Sequence, residues 1–328
     1  MTKATSTSNR NLANIYFMIL MIMLWSLNFV PREILERMGD DLTLNSVVSE
    51  IIISVPALLL IGIWYIGQAY KEHTLADYTA IPISDRLMFR EVKVSTLLMT
   101  VVYTLMVLPL ITLSNAISLL FVDNTMLEHS EDILSLSVVP AVFFTAMLPA
   151  FCEELAFRGM IYGGYRRECR PIGSVLMSAL LFGLMHLNIN QFSYAFVIGI
   201  TMALLVEATG SIWPSILVHF IINSKSVIGM FIADHMYEGI FDEYLNEGMM
   251  DDTLGPAIIL YAGVSVVTTF IACVILGWLA KNEGRQNPLR QLVSNSMYKD
   301  KRHTVWTLPL IMGIIAALIY IILVEFAL

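Results

Sequence analysis

Nine apolar stretches, each long enough or nearly long enough to cross a bilayer, dominate this chain of 328 residues. A hydrocarbon core about 30 Å thick requires roughly 20 apolar residues per helix. The stretches lie at residues 12–30, 44–70, 95–121, 133–165, 172–187, 192–208, 212–233, 255–280 and 305–327. Only 14% of the residues are charged and the mean hydropathy is +0.73, so the chain has the composition of an integral membrane protein rather than a soluble domain.

This pattern predicts an all-α fold, a polytopic transmembrane helical bundle of nine spans or of eight. The fifth and sixth stretches are short for full spans, and the link between them, residues 187–191, is too short for a domain. We expect these two stretches to form a tight helical hairpin. Because no Ser/Gly linker or repeat interrupts the chain, residues 1–328 are predicted to be a single membrane domain.

The distribution of Lys and Arg predicts the orientation. Of the 19 basic residues, 15 precede the first span or lie in 71–94, 166–170 and 281–304, which nine crossings place on one side of the membrane. Cytoplasmic loops retain Lys and Arg, so the N-terminus is expected to be cytoplasmic and the C-terminus outside. The acidic loops 31–43, 122–132 and 234–254 then face outward. No basic stripe typical of nucleic-acid binding is present, and no nucleic-acid partner is expected.

The fourth stretch carries Glu153, Glu154 and Arg158. Charged side chains within a membrane span are costly and commonly mark functional sites. Residues four apart share a helix face, so Glu154 is expected to pair with Arg158, while Glu153 is rotated by about 100°. Glu153 is then available as a general base. The alternative is that all three residues form a structural ion network.

Two further stretches carry polar residues at helical spacing. Phe182 and His186 share one face of the fifth stretch, and Ser215, His219 and Asn223 form a polar stripe on the seventh. Such groups also join membrane helices by hydrogen bonds, which is the structural alternative. Lys225 is expected to point away from the stripe and to pair with a membrane acid such as Glu50.

These residue types suit amide hydrolysis, which requires an activated water, donors to the developing oxyanion and an acid for the leaving amine. Glu153 and His186 are candidates for activating the water, and His219 and Asn223 are candidates for the oxyanion donors. The same chain also offers Glu153, His186 and His219 as zinc ligands, a hydrolytic set that leaves a coordination position open. The spacing in the sequence does not separate these two chemistries.

Three motifs in this order are similar to the signatures of the CAAX-processing and bacteriocin-processing intramembrane endopeptidases, the CPBP or Abi family. They are Glu-Glu-x-x-x-Arg from Glu153 to Arg158, Phe-x-x-x-His from Phe182 to His186, and His-x-x-x-Asn from His219 to Asn223. The resemblance covers residues 140–225. It implies a core of four helices, and we predict residues 133–233 to be the CPBP-like catalytic core.

The resemblance implies a role for each of these residues. Glu153 and His186 activate the attacking water, His219 and Asn223 form the oxyanion site, and Glu154 with Arg158 supports them. It also implies a membrane protein or peptide as substrate and a multi-pass protein of the bacterial plasma membrane. No cofactor is expected, because the family resemblance favours glutamate-dependent chemistry, and zinc is the alternative. The sequence leaves the oligomeric state open.

Two other functional classes remain as alternatives. The Glu, Arg and His side chains also suit the proton path of a proton-coupled transporter, although the inverted repeats and paired interrupted helices typical of such carriers are not found. A family member retained for binding, such as a non-catalytic immunity or regulatory protein, is the other alternative.

Overall fold

The computed structural model describes residues 8–27, 42–74, 81–124, 130–236, 251–292 and 304–326. The fold is all-α, as predicted. The predicted outward loops 31–43 and 234–254 fall largely outside the described residues.

Twelve helices make up the described chain, and nine of them are long. In chain order they are α1 (Asn9–Leu27), α2 (Leu42–Thr74), α3 (Ile83–Arg86), α4 (Val94–Ser118), α5 (Ser130–Ser135), α6 (Val138–Glu168), α7 (Pro171–Met185), α8 (Ile189–Thr209), α9 (Trp213–Met236), α10 (Asp251–Asn282), α11 (Gln286–Gln291) and α12 (Leu308–Phe326). Each of the nine predicted apolar stretches corresponds to one long helix.

Seven of these helices are long and apolar enough to cross a membrane, namely α2, α4, α6, α8, α9, α10 and α12. The other two long helices differ for physical reasons. The first turns of α1 contain Arg10 and the amides of Asn9, Asn11 and Asn14, which lower its hydropathy. Helix α7 has only 15 residues and is too short for a full span. The described chain is therefore a polytopic helical bundle in which the number of full crossings is smaller than nine by this measure.

Helix α6 changes its winding twice. Two π-helical stretches, Phe143–Met147 and Leu155–Tyr162, flank the α-helical turns that end at Glu154. Pro149 contributes to the first change, because proline lacks the N–H that would bond the carbonyl of Thr145 four residues earlier. The acidic pair consequently lies between two distorted segments of one helix.

The predicted core of four helices is a connected unit, since α7 and α8 pack on each other and both α7 and α9 contact α6. Gly199 allows α8 to approach α7 closely, because a Cβ there would lie 2.8 Å from the Cα of Ala179. The predicted hairpin is present, with three residues between α7 and α8. Asn188 caps α8 by accepting a hydrogen bond from the Gln191 N–H at 2.7 Å.

The basic segments meet at one end of the bundle. Arg167 donates to the carbonyl oxygens of Asp85 and Arg86, and the Asn9 N–H donates to the Glu168 carboxylate. On the same end, the Lys93 N–H donates to the Glu283 carboxylate at 3.0 Å. The start of α1 and the segments around residues 85, 167 and 283 thus form one basic end, as the alternation of loops predicts.

Candidate active site

The two acidic residues lie where α6 passes from α-helical to π-helical winding. Glu153 and Glu154 end the stretch Leu148–Glu154, and the second π-helical stretch begins directly after them. π-Helical turns within α-helices occur frequently at functional sites. Glu154 is completely buried and Glu153 is 8% exposed, so neighbouring protein groups must compensate for most of their lost hydration.

Glu154 accepts from two neighbours through one oxygen. Arg158 Nη1 donates to Glu154 Oε1 at 2.6 Å, and both side chains are completely buried. His219 Nδ1 lies 3.2 Å from the same oxygen. Because an ionised carboxylate only accepts hydrogen bonds, Nδ1 carries the proton of this contact. The structure therefore contains the predicted pair of Glu154 and Arg158, and adds His219 to it.

Glu153 has a different environment. Its Oε2 lies 3.9 Å from His219 Nε2, beyond hydrogen-bonding distance, and has no hydrogen-bond partner among the described residues. The imidazole of His219 thus lies between the two glutamates, with one ring nitrogen toward each. Glu153 is the carboxylate without a direct cation, as the helical geometry predicts.

His186 directly follows the last residue of α7. Its Nδ1 lies 2.9 Å from the carbonyl oxygen of Phe182, which only accepts, so Nδ1 is the protonated nitrogen of this contact. In the neutral ring, that tautomer leaves Nε2 with a free lone pair. The rings of Phe182 and His186 also touch edge to face, with centroids 5.3 Å apart, so the two residues share a face as predicted.

Phe182 contacts a residue from each of the three motifs. The Arg158 guanidinium lies 4.2 Å from the centre of its ring, a cation–π contact. The ring of His219 packs edge to face against the same phenyl group, with centroids 5.8 Å apart. One aromatic ring from α7 therefore fixes side chains from α6 and α9.

Asn223 connects α9 to the distorted part of α6. Its Nδ2 donates to the carbonyl oxygen of Thr145 at 3.3 Å. This is the carbonyl that Pro149 leaves without its usual helical donor. The amide nitrogen has two protons, so one remains for another acceptor.

A cavity of about 420 Å³ brings the predicted residues together. Four of the six predicted site residues line it: Glu153, His186, His219 and Asn223. Glu154 and Arg158 lie behind His219 and do not line the cavity. Several apolar side chains form much of the remaining wall, among them Leu108, Ile111, Ile198, Ile222 and Met230.

Sequence reasoning missed several polar residues of this cavity: Asn115, Thr145, Gln191 and Tyr194. None belongs to a recognisable motif, and the break at Pro149 is the one signal that points to Thr145. The expectation for Lys225 was wrong, because Lys225 also lines the cavity. No ion pair of the described residues includes Lys225.

Zinc binding by Glu153, His186 and His219 stays a prediction. In the part of the chain that the structure describes, no group of three or more His, Cys, Asp or Glu side chains is arranged to hold a metal ion. One nitrogen of His186 is engaged by the Phe182 carbonyl and one of His219 by Glu154. Both contacts use Nδ1, the way in which metal-ligating histidines are commonly held, and leave Nε2 of each ring outside them.

These features define a class, a polytopic membrane protein whose spans enclose a polar cavity between buried carboxylates and histidines. Comparison with known proteins narrows the class. Residues 135–224 match the model of a family described as "Type II CAAX prenyl endopeptidase Rce1-like". The matched segment contains the three motifs and is similar to the CPBP family, and it covers less than half of the chain.

A curated relative is the Bacillus subtilis (strain 168) protein named "Putative membrane peptidase YdiL". It is 27% identical over 103 residues, which cover 31% of this chain and 42% of the relative. The match thus spans less than half of the relative's length. No solved structure matches the chain.

Proposed function

We propose that this protein is an intramembrane endopeptidase that hydrolyses a peptide bond of a membrane-associated protein or peptide. The observation that carries the proposal is the carboxylate of Glu153, which has an oxygen without a hydrogen-bond partner among the described residues and lines one cavity with two histidines and an amide. A buried carboxylate oxygen without a hydrogen-bond donor lowers the stability of the folded protein, so a structural role does not explain it. The matched family model and the name of the relative are consistent with peptidase activity.

The first step is the activation of water. In this proposal a water molecule in the cavity donates one hydrogen bond to Glu153 Oε2 and another to His186 Nε2. The contact of His186 Nδ1 with the Phe182 carbonyl supports this role, because it leaves the lone pair on Nε2. Glu153 takes the proton as the water oxygen attacks the carbonyl carbon of the substrate.

The second step is stabilisation of the negative charge that develops on the substrate oxygen. The proposed donors are His219 Nε2 and Asn223 Nδ2, which both belong to residues lining the cavity. Since His219 Nδ1 already donates to Glu154, donation from Nε2 requires a ring that carries both protons. The carboxylates of Glu153 and Glu154 lie on either side of this ring, 3.9 Å from Nε2 and 3.2 Å from Nδ1.

The third step is expulsion of the amine. The proton that Glu153 took from water passes to the nitrogen of the scissile bond, and the carbon–nitrogen bond breaks. The products are a carboxylic acid end and an amine end, and Glu153 returns to its ionised form.

Glu154 and Arg158 act as positioning residues in this proposal. Arg158 holds the Glu154 carboxylate at 2.6 Å, and that carboxylate in turn holds His219 Nδ1. The order of contacts fixes the direction of the His219 ring. Because neither Glu154 nor Arg158 lines the cavity, neither is proposed to touch the substrate.

The walls of the cavity indicate the substrate class. Aliphatic side chains from α4, α8 and α9 line it together with the polar groups. An extended peptide segment with apolar side chains, entering from the bilayer, suits this mixture. The proposed location is a bacterial plasma membrane, with the basic end of the bundle in the cytoplasm.

Cleavage by the purified full-length protein tests the proposal. The assay uses a library of membrane-spanning peptides in proteoliposomes, with the products detected by mass spectrometry. We expect Glu153→Gln and His186→Ala each to lower the cleavage rate by about 10²–10⁴-fold, the usual contribution of general acid–base groups.

Glu283→Gln is the matched control. Glu283 is also a buried carboxylate, but it accepts from Lys93 N at the basic end and does not line the cavity. This variant is expected to cleave at the wild-type rate. Unchanged cleavage by both Glu153→Gln and His186→Ala would contradict the assignment. A proton flux that the same two substitutions abolish, without any cleavage, would favour the transporter.

A further inference from the structure

A second cavity lies at the basic end of the bundle, apart from the candidate active site. It has a volume of about 220 Å³ and is enclosed by the segment after α2, the end of α6, the end of α8 and the start of α11. Three arginines line it: Arg90, Arg166 and Arg285. Two acidic residues, Asp85 and Glu207, also line it. The cavity therefore contains more positive than negative side chains.

The buried acid of this cavity is Glu207, and its carboxylate already has hydrogen-bond partners. Arg166 binds Glu207 in bidentate fashion, with Nε to Oε2 at 2.8 Å and Nη2 to Oε1 at 2.6 Å. The hydroxyl of Tyr162 donates to the same carboxylate. Both oxygens of Glu207 thus have partners, and Arg166 is the arginine that pairs with the carboxylate.

Arg90 and Arg285 have no carboxylate partner in the part of the chain that the structure describes. Arg285 Nε donates to the backbone carbonyl oxygen of Glu207 at 3.2 Å, whereas its terminal nitrogens have no partner among the described residues. Asp85 lines the cavity but forms no ion pair with either arginine within the described chain. Burial lowers the pKa of Arg285, and the nearby charges of Arg90 and Arg166 lower it further, whereas Glu207 raises it. An anion in the cavity would relieve this repulsion.

The backbone is shaped around Arg285. Gly210 ends α8 with φ of +74°, a conformation that favours glycine. A Cβ at Gly210 would lie 2.8–2.9 Å from the Cδ, Nε and Cζ atoms of Arg285. The absence of a side chain at Gly210 therefore makes room for the guanidinium at the wall of the cavity.

We propose that this cavity binds a phosphate group, held by the guanidinium groups of Arg90 and Arg285 beside the Arg166–Glu207 pair. Guanidinium groups match the geometry of phosphate oxygens and bind them through paired hydrogen bonds. The basic end is also where α6, α8 and α10 terminate, at the level expected for lipid phosphates. The same chemistry suits the phosphate of an anionic lipid and a free phosphate ion. This inference is independent of the proposed peptidase activity.

Thermal unfolding of the purified full-length protein in neutral detergent tests the proposal, because a ligand that binds the folded state raises the unfolding temperature. One series adds potassium phosphate at constant ionic strength, balanced with potassium chloride. A second series adds dioctanoyl phosphatidylglycerol, with dioctanoylglycerol as the control that lacks phosphate. Stabilisation by the ion identifies free phosphate as a ligand, and stabilisation only by the phospholipid identifies the lipid headgroup.

Three substitutions locate the binding. Arg90→Gln and Arg285→Gln are each expected to weaken binding by about tenfold, the effect of losing a charge-assisted hydrogen bond. Arg90 is exposed, so its substitution is compatible with folding even if Arg285→Gln lowers stability. Arg290→Gln is the matched control, because Arg290 is an exposed arginine of α11 outside the cavity. Absence of stabilisation in both series would overturn the proposal, as would equal weakening by Arg290→Gln.

Discussion

Helix α6 carries two arginines that pair with glutamates, Arg158 and Arg166, eight residues apart, and the two pairs are built differently. At the basic end, Arg166 binds both oxygens of Glu207, and the Tyr162 hydroxyl adds a third donor. Near the cavity, Arg158 binds Glu154 through a single nitrogen and a single oxygen. The remaining Arg158 Nε, Arg158 Nη2 and Glu154 Oε2 atoms are buried without hydrogen-bond partners among the described residues.

The difference indicates two roles: the Arg166–Glu207 pair anchors one helix to another, whereas the Arg158–Glu154 pair belongs to the candidate active site. A fully satisfied pair fixes two helices to each other, here α6 and α8, and leaves little polar capacity unused. An incompletely satisfied pair retains a stability cost of the kind that is tolerated at functional sites. The same carboxylate of Glu154 contacts His219 and so orients a ring that lines the cavity.

The largest expected effect is that of removing the cation from each pair. Arg158→Met leaves Glu154 completely buried with only His219 beside it, and should lower the free energy of unfolding by about 3–5 kcal/mol. Arg166→Met should cost less, about 2 kcal/mol, because Arg166 is 15% exposed and Tyr162 still donates to Glu207. Unfolding by titration with SDS in mixed micelles measures both values.

An equal or larger loss for Arg166→Met than for Arg158→Met would contradict the comparison. It would mean that the bidentate pair, rather than complete burial, determines the cost of removing the cation. Arg290→Met serves as the control, since this exposed arginine belongs to neither pair.

Substitution by lysine should lower the free energy of unfolding less than substitution by methionine, and here the loss should be larger at Arg166 than at Arg158. Lysine keeps the charge but lacks the planar fork of arginine, so Arg166→Lys loses one of two charge-assisted bonds and should cost about 1.5 kcal/mol, less than Arg166→Met. Arg158 uses only Nη1, and a lysine ammonium retains both one bond to Glu154 and the contact with the Phe182 ring. We expect Arg158→Lys to cost about 1 kcal/mol or less in the same titration. A larger loss for Arg158→Lys would show that the unpartnered Arg158 nitrogens have partners in the bilayer state.

The sequence predicted the helices and four of the residues that line the cavity, because both predictions depend on local rules. Apolar stretches long enough for a bilayer determined the helices, and the costliness of charge in such stretches pointed to Glu153 and Arg158. The four-residue spacing also predicted the contacts of Glu154 with Arg158 and of Phe182 with His186. Each of these inferences concerns a single helix.

The contacts between helices could not be predicted from the sequence. The position of His219 between two glutamates depends on how α9 packs on α6, and no periodicity encodes that packing. The π-helical stretches of α6 were missed because the prediction assumed regular winding. Lys225 was placed wrongly because the cavity follows α9 as far as Met230, so residues on more than one face of that helix reach it.

The smallest expected change in stability is at Glu153, where substitution should raise the free energy of unfolding rather than lower it. Glu153→Gln removes a buried charge whose Oε2 has no donor, so the free energy of unfolding should rise by about 1 kcal/mol, as at other sites where function opposes stability. Glu154→Gln is the adjacent control and should lower it, because Arg158 then loses the carboxylate that neutralises it.

The two neighbouring substitutions remove the same charge from the same turn of α6, so burial in the bilayer affects both alike. Only the partners differ, namely Arg158 and His219 for one oxygen of Glu154 and none for Oε2 of Glu153. SDS titration of the two variants beside the wild type measures the difference. A stability loss in Glu153→Gln equal to that in Glu154→Gln would mean that Glu153 is itself a structural anchor, and the distinction between the anchored and the available carboxylate would fail.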